Sequence, residues 1–63
     1  MGLIEIDFGN DQIKLNALLT KDGDRFCVLF GSNIQEGICG FGSHIGHAVM
    51  DFKDNFRNAN AAN

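Results

Sequence analysis

Proline is absent from this chain, and so are tryptophan and tyrosine. Without proline, no covalent constraint interrupts a strand or a helix. Element ends must therefore be set by glycine, asparagine and aspartate. Basic residues are scarce: five lysines and arginines stand against eight aspartates and glutamates, a net charge of −3. A direct nucleic-acid binder needs a basic footprint on which to neutralise phosphates. Lys14, Lys21, Arg25, Lys53 and Arg57 are instead scattered among acids, so no direct nucleic-acid contact is expected. No apolar run approaches the ~20 residues of a membrane-spanning helix, and no membrane partner is expected. Residues 1–8 alternate and lack a basic start, unlike a signal peptide. The expected location is the cytoplasm. Cysteine is limited to Cys27 and Cys39, and in a reducing compartment a disulfide between them is disfavoured.

What is present fits one small globular domain. Sixty-three residues at 44% hydrophobic and 21% charged are too apolar for a disordered chain and too few for a large enzyme. All the aromatic content is phenylalanine, six residues in total, enough for one core. Residues 3–8 alternate, with Ile4, Ile6 and Phe8 on one face and Glu5 and Asp7 on the other, the pattern of a half-buried strand. Gly9-Asn-Asp11 is turn chemistry. Ile13, Leu15, Ala17 and Leu19 then alternate as a second strand, joined to the first by a tight hairpin. Lys21-Asp-Gly-Asp24 is the strongest turn in the chain. Residues 25–30 are nearly all apolar and predict a central third strand, in which Cys27 is a small core hydrophobe. Residues 34–41 contain Gly37 and Gly40 and predict a weak or bulged fourth strand. From Ser43 onward, Ile45, Ala48, Val49, Met50, Phe52 and Phe56 supply the apolar positions of one helical face. Asp51, Lys53, Asp54 and Arg57 lie largely opposite, and Lys53 and Arg57 suit the end of a helix. Residues 58–63 have no apolar anchor and are expected to be a disordered tail.

The expected fold is α+β: an antiparallel three- to four-stranded sheet followed by one C-terminal helix on one face, in a single domain over residues 1–57. The other face stays open, with Leu3 and Leu18 on it, and an exposed apolar patch of this kind marks an interface. A homodimer is expected, because a small open sheet gains stability by pairing an edge or covering a face.

Gly40-Phe-Gly-Ser-His-Ile-Gly-His-Ala-Val-Met-Asp-Phe52 resembles the HicB-like antitoxin domain. That family shows a strand and then Gly-x-Gly-x-Thr-x-x-Glu-Ala opening a helix of the type Ala-Ile-x-Asp-Phe. Gly40, Gly42, Ala48, Asp51 and Phe52 match in register, and Arg25-Phe-Cys-Val-Leu-Phe30 resembles the aromatic-rich strand before it. His44 replaces the usual capping Thr, and His47 replaces the usual Glu. Ser43 is available as a cap one residue earlier. In this reading Gly40 and Gly42 permit the sharp turn from sheet to helix. The resemblance implies a partial RNase-H-like sheet without catalytic carboxylates, which binds and masks a small toxin ribonuclease. The separate DNA-binding segment usual in that family is missing from residues 1–63, so a stand-alone form is expected. Small size, acidity and one sheet-plus-helix unit also suit a phage-encoded inhibitor of a host defence nuclease, of the anti-CRISPR kind.

Candidate chemistry is sparse. Cys39, His44 and His47 with Cys27 would supply two thiolates and two imidazoles, but their spacing matches no standard zinc finger. No metal and no other cofactor is expected. No nucleophile–base–acid order or fixed carboxylate pair is present, and no catalytic residue is expected. The candidate partner-binding residues are Phe41, His44 and His47 around the helix start, and Asp22, Asp24, Asp51 and Asp54, which would mimic phosphates toward a basic partner. The expected function is a non-enzymatic protein-binding module that occludes a partner, either a small ribonuclease or a subunit of a nuclease complex.

Overall fold

A computed structural model describes residues 2–9, 13–32 and 35–61. Four strands precede one helix: β1 Gly2–Asp7, β2 Lys14–Asp22, β3 Arg25–Phe30, β4 Ile38–Gly42 and α1 Ile45–Ala61. The sheet is antiparallel throughout, and its spatial order equals its chain order, β1-β2-β3-β4. This is the expected α+β architecture in its four-stranded form.

Each turn has a local cause. After β1, the Asp7 carboxylate accepts a hydrogen bond from the Gly9 amide at 2.7 Å, and Gly9 takes φ +81°. Phe8 N then donates to Ile13 O at 3.3 Å, so the connection spans residues 8–13, wider than the expected tight hairpin. Asn10 and Asp11 of that turn lie outside the described residues. Between β2 and β3, Gly23 takes φ +66°, a backbone state that side chains rarely tolerate. Leu19 faces Val28 and Lys21 faces Phe26 across that pair.

Strand alternation sorts the side chains onto two faces. Ile6, Ala17, Leu19 and Val28 are buried beneath the helix, together with its own Ala48 and Phe52. Ile4, Phe8, Leu15, Phe26, Ile38, Val49 and Phe56 pack around them. Phe56 gathers one end of the layer, with its ring 5.0 Å from Phe8, 6.0 Å from Phe52 and 6.2 Å from Phe30. No buried polar or charged side chain occurs among the described residues.

Cys27 corrects one expectation. It is buried, yet it lies outside the helix-side core, because its register partners are Thr20 and Phe41 on the opposite face. The sheet itself and its neighbours cover it.

The glycines of β4 correct another. Its five residues pair continuously with β3, from Phe30↔Ile38 to Phe26↔Gly42, without a bulge. Ile34, the expected start of this strand, lies outside the described residues. Gly40 and Gly42 are not turn residues: they sit inside β4, with no positive φ. Their function is contact. A Cβ built on Gly40 would stand 2.2 Å from Phe52 N and 2.6 Å from Ala48 O. One on Gly42 would stand 2.6 Å from Ala48 N. The helix backbone lies directly on the strand backbone, and α1 packs mainly on β4, less on β3.

The helix begins later and ends later than expected. Ala48 N donates to His44 O at 3.0 Å, so His44, not Ser43, is the residue preceding the first turn. The helix continues through residues 58 and 59 to Ala61, past the last apolar anchor, Phe56. Alanine has the highest helix propensity, which offsets the adjacent asparagines there. Ala62 and Asn63 lie outside the described residues. Lys53 and Arg57 are thus not in the last turn, which holds no base. They reach across Phe8 instead, at 5.7 Å and 5.8 Å from its ring.

Two glycine substitutions separate contact from propensity. Gly40→Ala is expected to destabilise the domain by about 3 kcal/mol, the upper range for overpacking, because backbone atoms oppose the new methyl. Gly46→Ala meets open space in the first turn of α1 and is expected to stabilise by about 0.5–1 kcal/mol. Urea denaturation of both variants reads the two signs.

Candidate functional site

The topology brings five of the seven candidate contact residues to one end of the sheet. Asp22 ends β2, Asp24 occupies the following turn, Phe41 lies near the end of β4, and His44 and His47 open the helix. Phe26 faces Gly42 across β3 and β4, so these segments share an end. His44 and His47 are both exposed, with ring centroids 5.0 Å apart.

Phe41 is neither in a loop nor plugged into the helix-side core. It is a strand residue on the open face, half-buried, with the Arg25 guanidinium 5.0 Å above its ring. A cation over an aromatic face is attracted by the ring quadrupole, and here it shields the ring from water.

Asp51 and Asp54 stand apart from that end. Asp51 Oδ2 accepts a hydrogen bond from Phe41 N at 3.0 Å. One helical turn on, Asn55 Nδ2 donates to Cys39 O at 2.7 Å. Phe41 N and Cys39 O belong to the outer edge of β4, where no further strand is present among the described residues to pair with them. Asp51 and Asn55 are spaced i, i+4 and so share one flank of the helix. Together they bond the outer amide of Phe41 and the outer carbonyl of Cys39 on the free edge of the sheet, which gives the exposed Asp51 a structural contact. Asp54 pairs with Arg57 at 3.4 Å, on an exposed helix surface.

The four candidate metal ligands do not converge. Among the described residues, no three histidine, cysteine, aspartate or glutamate side chains come together to hold an ion. Both cysteines are free thiols. They occupy the open face on neighbouring strands, where Cys27 faces Phe41 and Cys39 faces Leu29. Burial pushes the Cys39 thiol above its ordinary range, and the Cys27 sulfur and the Asp51 carboxylate add to the shift. A thiol held protonated is a poor nucleophile and a poor metal ligand.

The most coherent feature is one that composition does not single out. Leu3 faces Leu18, Leu18 faces Leu29, and Leu29 faces Cys39, all on the face away from the helix. These four side chains form one apolar row across all four strands. Leu3 is 71% exposed and Leu18 is 40% exposed. Thr20, Cys27 and Phe41 form the next row on one side, and Glu5 and Asn16 the next on the other. Asp7 with Lys14 and Asp22 with Arg25 close the two ends as cross-strand neighbours of opposite charge. Leu29, in the apolar row, and Asn55, on the β4 edge, are residues that the sequence does not single out. The available signal for Leu29 is its parity with Cys27 along β3.

No family model, curated protein or solved structure matches this chain. No helix is long and apolar enough to cross a membrane among the described residues.

Two measurements check the edge and the thiol. In hydrogen exchange, Asp51→Ala is expected to raise the exchange rate of the Phe41 amide far more than that of Val28, with a stability loss of about 1–2 kcal/mol. Alkylation at neutral pH is expected to modify Cys39 more slowly than a free model thiol, because less thiolate is present at that pH.

Proposed function

We propose that this chain is a non-enzymatic protein-binding module that covers a partner with the open face of its sheet. The observation that carries this reading is the cross-strand row Leu3–Leu18–Leu29–Cys39, apolar on the water side of a sheet whose other side is already covered. Exposed contiguous apolar surface is unfavourable in a monomer and marks an interaction site. Its rim of polar and charged side chains matches the anatomy of interfaces, with an apolar centre and a wet border.

The resemblance of Gly40 to Phe52 to the HicB-like domain would make a small ribonuclease one such partner. The strand–glycine–helix unit on which that resemblance rests is a packing device, so it supports a fold relation more than a target. The inhibitor reading by acidic mimicry draws less support. Asp51 is committed to the Phe41 amide and Asp54 to Arg57, while Asp22 and Asp24 stand beside Lys21 and Arg25. The basic residues are equally dispersed: Lys14 and Arg25 flank the open face, whereas Lys53 and Arg57 lie over Phe8. This dispersal favours apolar protein contact over nucleic acid.

The test is capture from a lysate of cells that make the protein, compared between variants. Leu18→Glu places a charge at the centre of the row and is expected to weaken partner retention by about tenfold or more. Asp24→Lys with Asp54→Lys is expected to leave retention in place. The reverse pattern would replace the apolar face with the acidic reading.

A further inference from the structure

The residues that β2 presents to the open face are Lys14, Asn16, Leu18, Thr20 and Asp22. Leu18 is central. Asn16 and Thr20 stand two residues to either side, and both side chains carry hydrogen-bond donors and acceptors. Lys14 and Asp22 stand four residues to either side and carry opposite charges. Reversed end for end, this row of five complements itself. Leu18 would meet Leu18, Asn16 would meet Thr20, and Lys14 would meet Asp22, twice over by symmetry.

We infer that the occupant of the open face is a second copy of this chain, stacked sheet on sheet about a two-fold axis that runs across the strands between the two Leu18 side chains. This inference rests on the open face being a docking surface and names its partner. An isologous interface requires a self-complementary patch, and β2 supplies one in both shape and charge. Leu3, Leu29 and Cys39 extend the apolar centre to the other strands on both copies. Sheets packed face to face lie about 10 Å apart with strands offset by about 30°. Lys14 and Asp22 each lie about 13 Å from the axis at the usual rise per residue, and the long lysine stem spans the offset.

Edge pairing is the competing arrangement, and charge opposes it. The β4 edge is occupied by Asp51 and Asn55. The β1 edge carries Glu5 and Asp7, both exposed. Pairing β1 with a second β1 would bring these carboxylates together, a standard protection of edge strands.

Sedimentation equilibrium of the full chain, with Leu18→Glu, Lys14→Asp and the swap Lys14→Asp with Asp22→Lys, tests the inference. The wild type is expected at twice the chain mass in the micromolar range. Leu18→Glu is expected to be monomeric, with its far-ultraviolet circular dichroism unchanged because the site is on an open face. Lys14→Asp is expected to weaken association about tenfold, since it opposes like charges at two symmetric contacts. The double swap is expected to recover part of that loss, since it restores both contacts across the axis but sets like charges beside Asp7 and Arg25 within each chain. Recovery distinguishes direct pairing across the axis from a general effect of charge. A wild type at one chain mass overturns the dimer but leaves the docking-face reading intact. That reading fails separately, if Leu18→Glu retains every captured partner. A dimer insensitive to all three variants also overturns the inference.

Discussion

The backbone-to-backbone contact between α1 and β4 at Gly40 and Gly42 sets the position of everything else in the molecule. Where two backbones touch, no side chain separates them, and the helix axis sits close above one edge of the sheet instead of over its middle. That offset explains the unequal packing of α1, which favours β4 over β3. It also explains why large side chains are needed on the far flank. Phe52 and Phe56 extend inward from the helix, and Phe8, Phe30 and Leu15 rise to meet them. The small Ala48 completes the fit where the layers come closest, against Gly40 and Gly42.

The same offset brings polar helical side chains to the sheet edge. Asp51 and Asn55 would face water on a helix centred over the sheet. Here they reach the amide of Phe41 and the carbonyl of Cys39. Hydrogen bonds of this kind contribute modestly to net stability, but leaving strand groups without partners at a covered edge would cost more. Close packing and edge satisfaction are one arrangement with one cause, the missing Cβ atoms of β4.

Most of the fold is legible because its period-2 and period-3.6 patterns are clean. Ile4, Ile6 and Phe8 against Glu5 and Asp7 define β1, and Asp22-Gly23 marks the hairpin that follows β2. The errors concern residues whose role depends on distant neighbours. Gly40 and Gly42 read as turn or bulge because nothing local reveals a helix lying on top of them. Cys27 reads as helix-side core when burial is weighted over parity. Its position between Phe26 and Val28 places it on the other face. Helix length past Phe56 follows alanine propensity, not amphipathic pattern. The candidate site is legible only in part. Five of its residues do share one end of the sheet, but Asp51 is a fastening of β4. The apolar row across the open face depends on registers among four strands, and sequence order alone does not give those registers.

Asp51 and Asn55 have one more effect, on growth. Unlimited strand-by-strand assembly needs two usable edges on every unit, one to receive and one to offer. In this molecule two of the groups that β4 would offer, Phe41 N and Cys39 O, are already taken by its own helix, which leaves β1 as the more open edge among the described residues. Such a unit is biased toward a single valence for sheet extension. Pairing through β1 leaves only the partly taken β4 edges to continue the series. A chain that exposes leucines on a small open sheet is thereby less suited to filament growth, the most damaging outcome of that exposure.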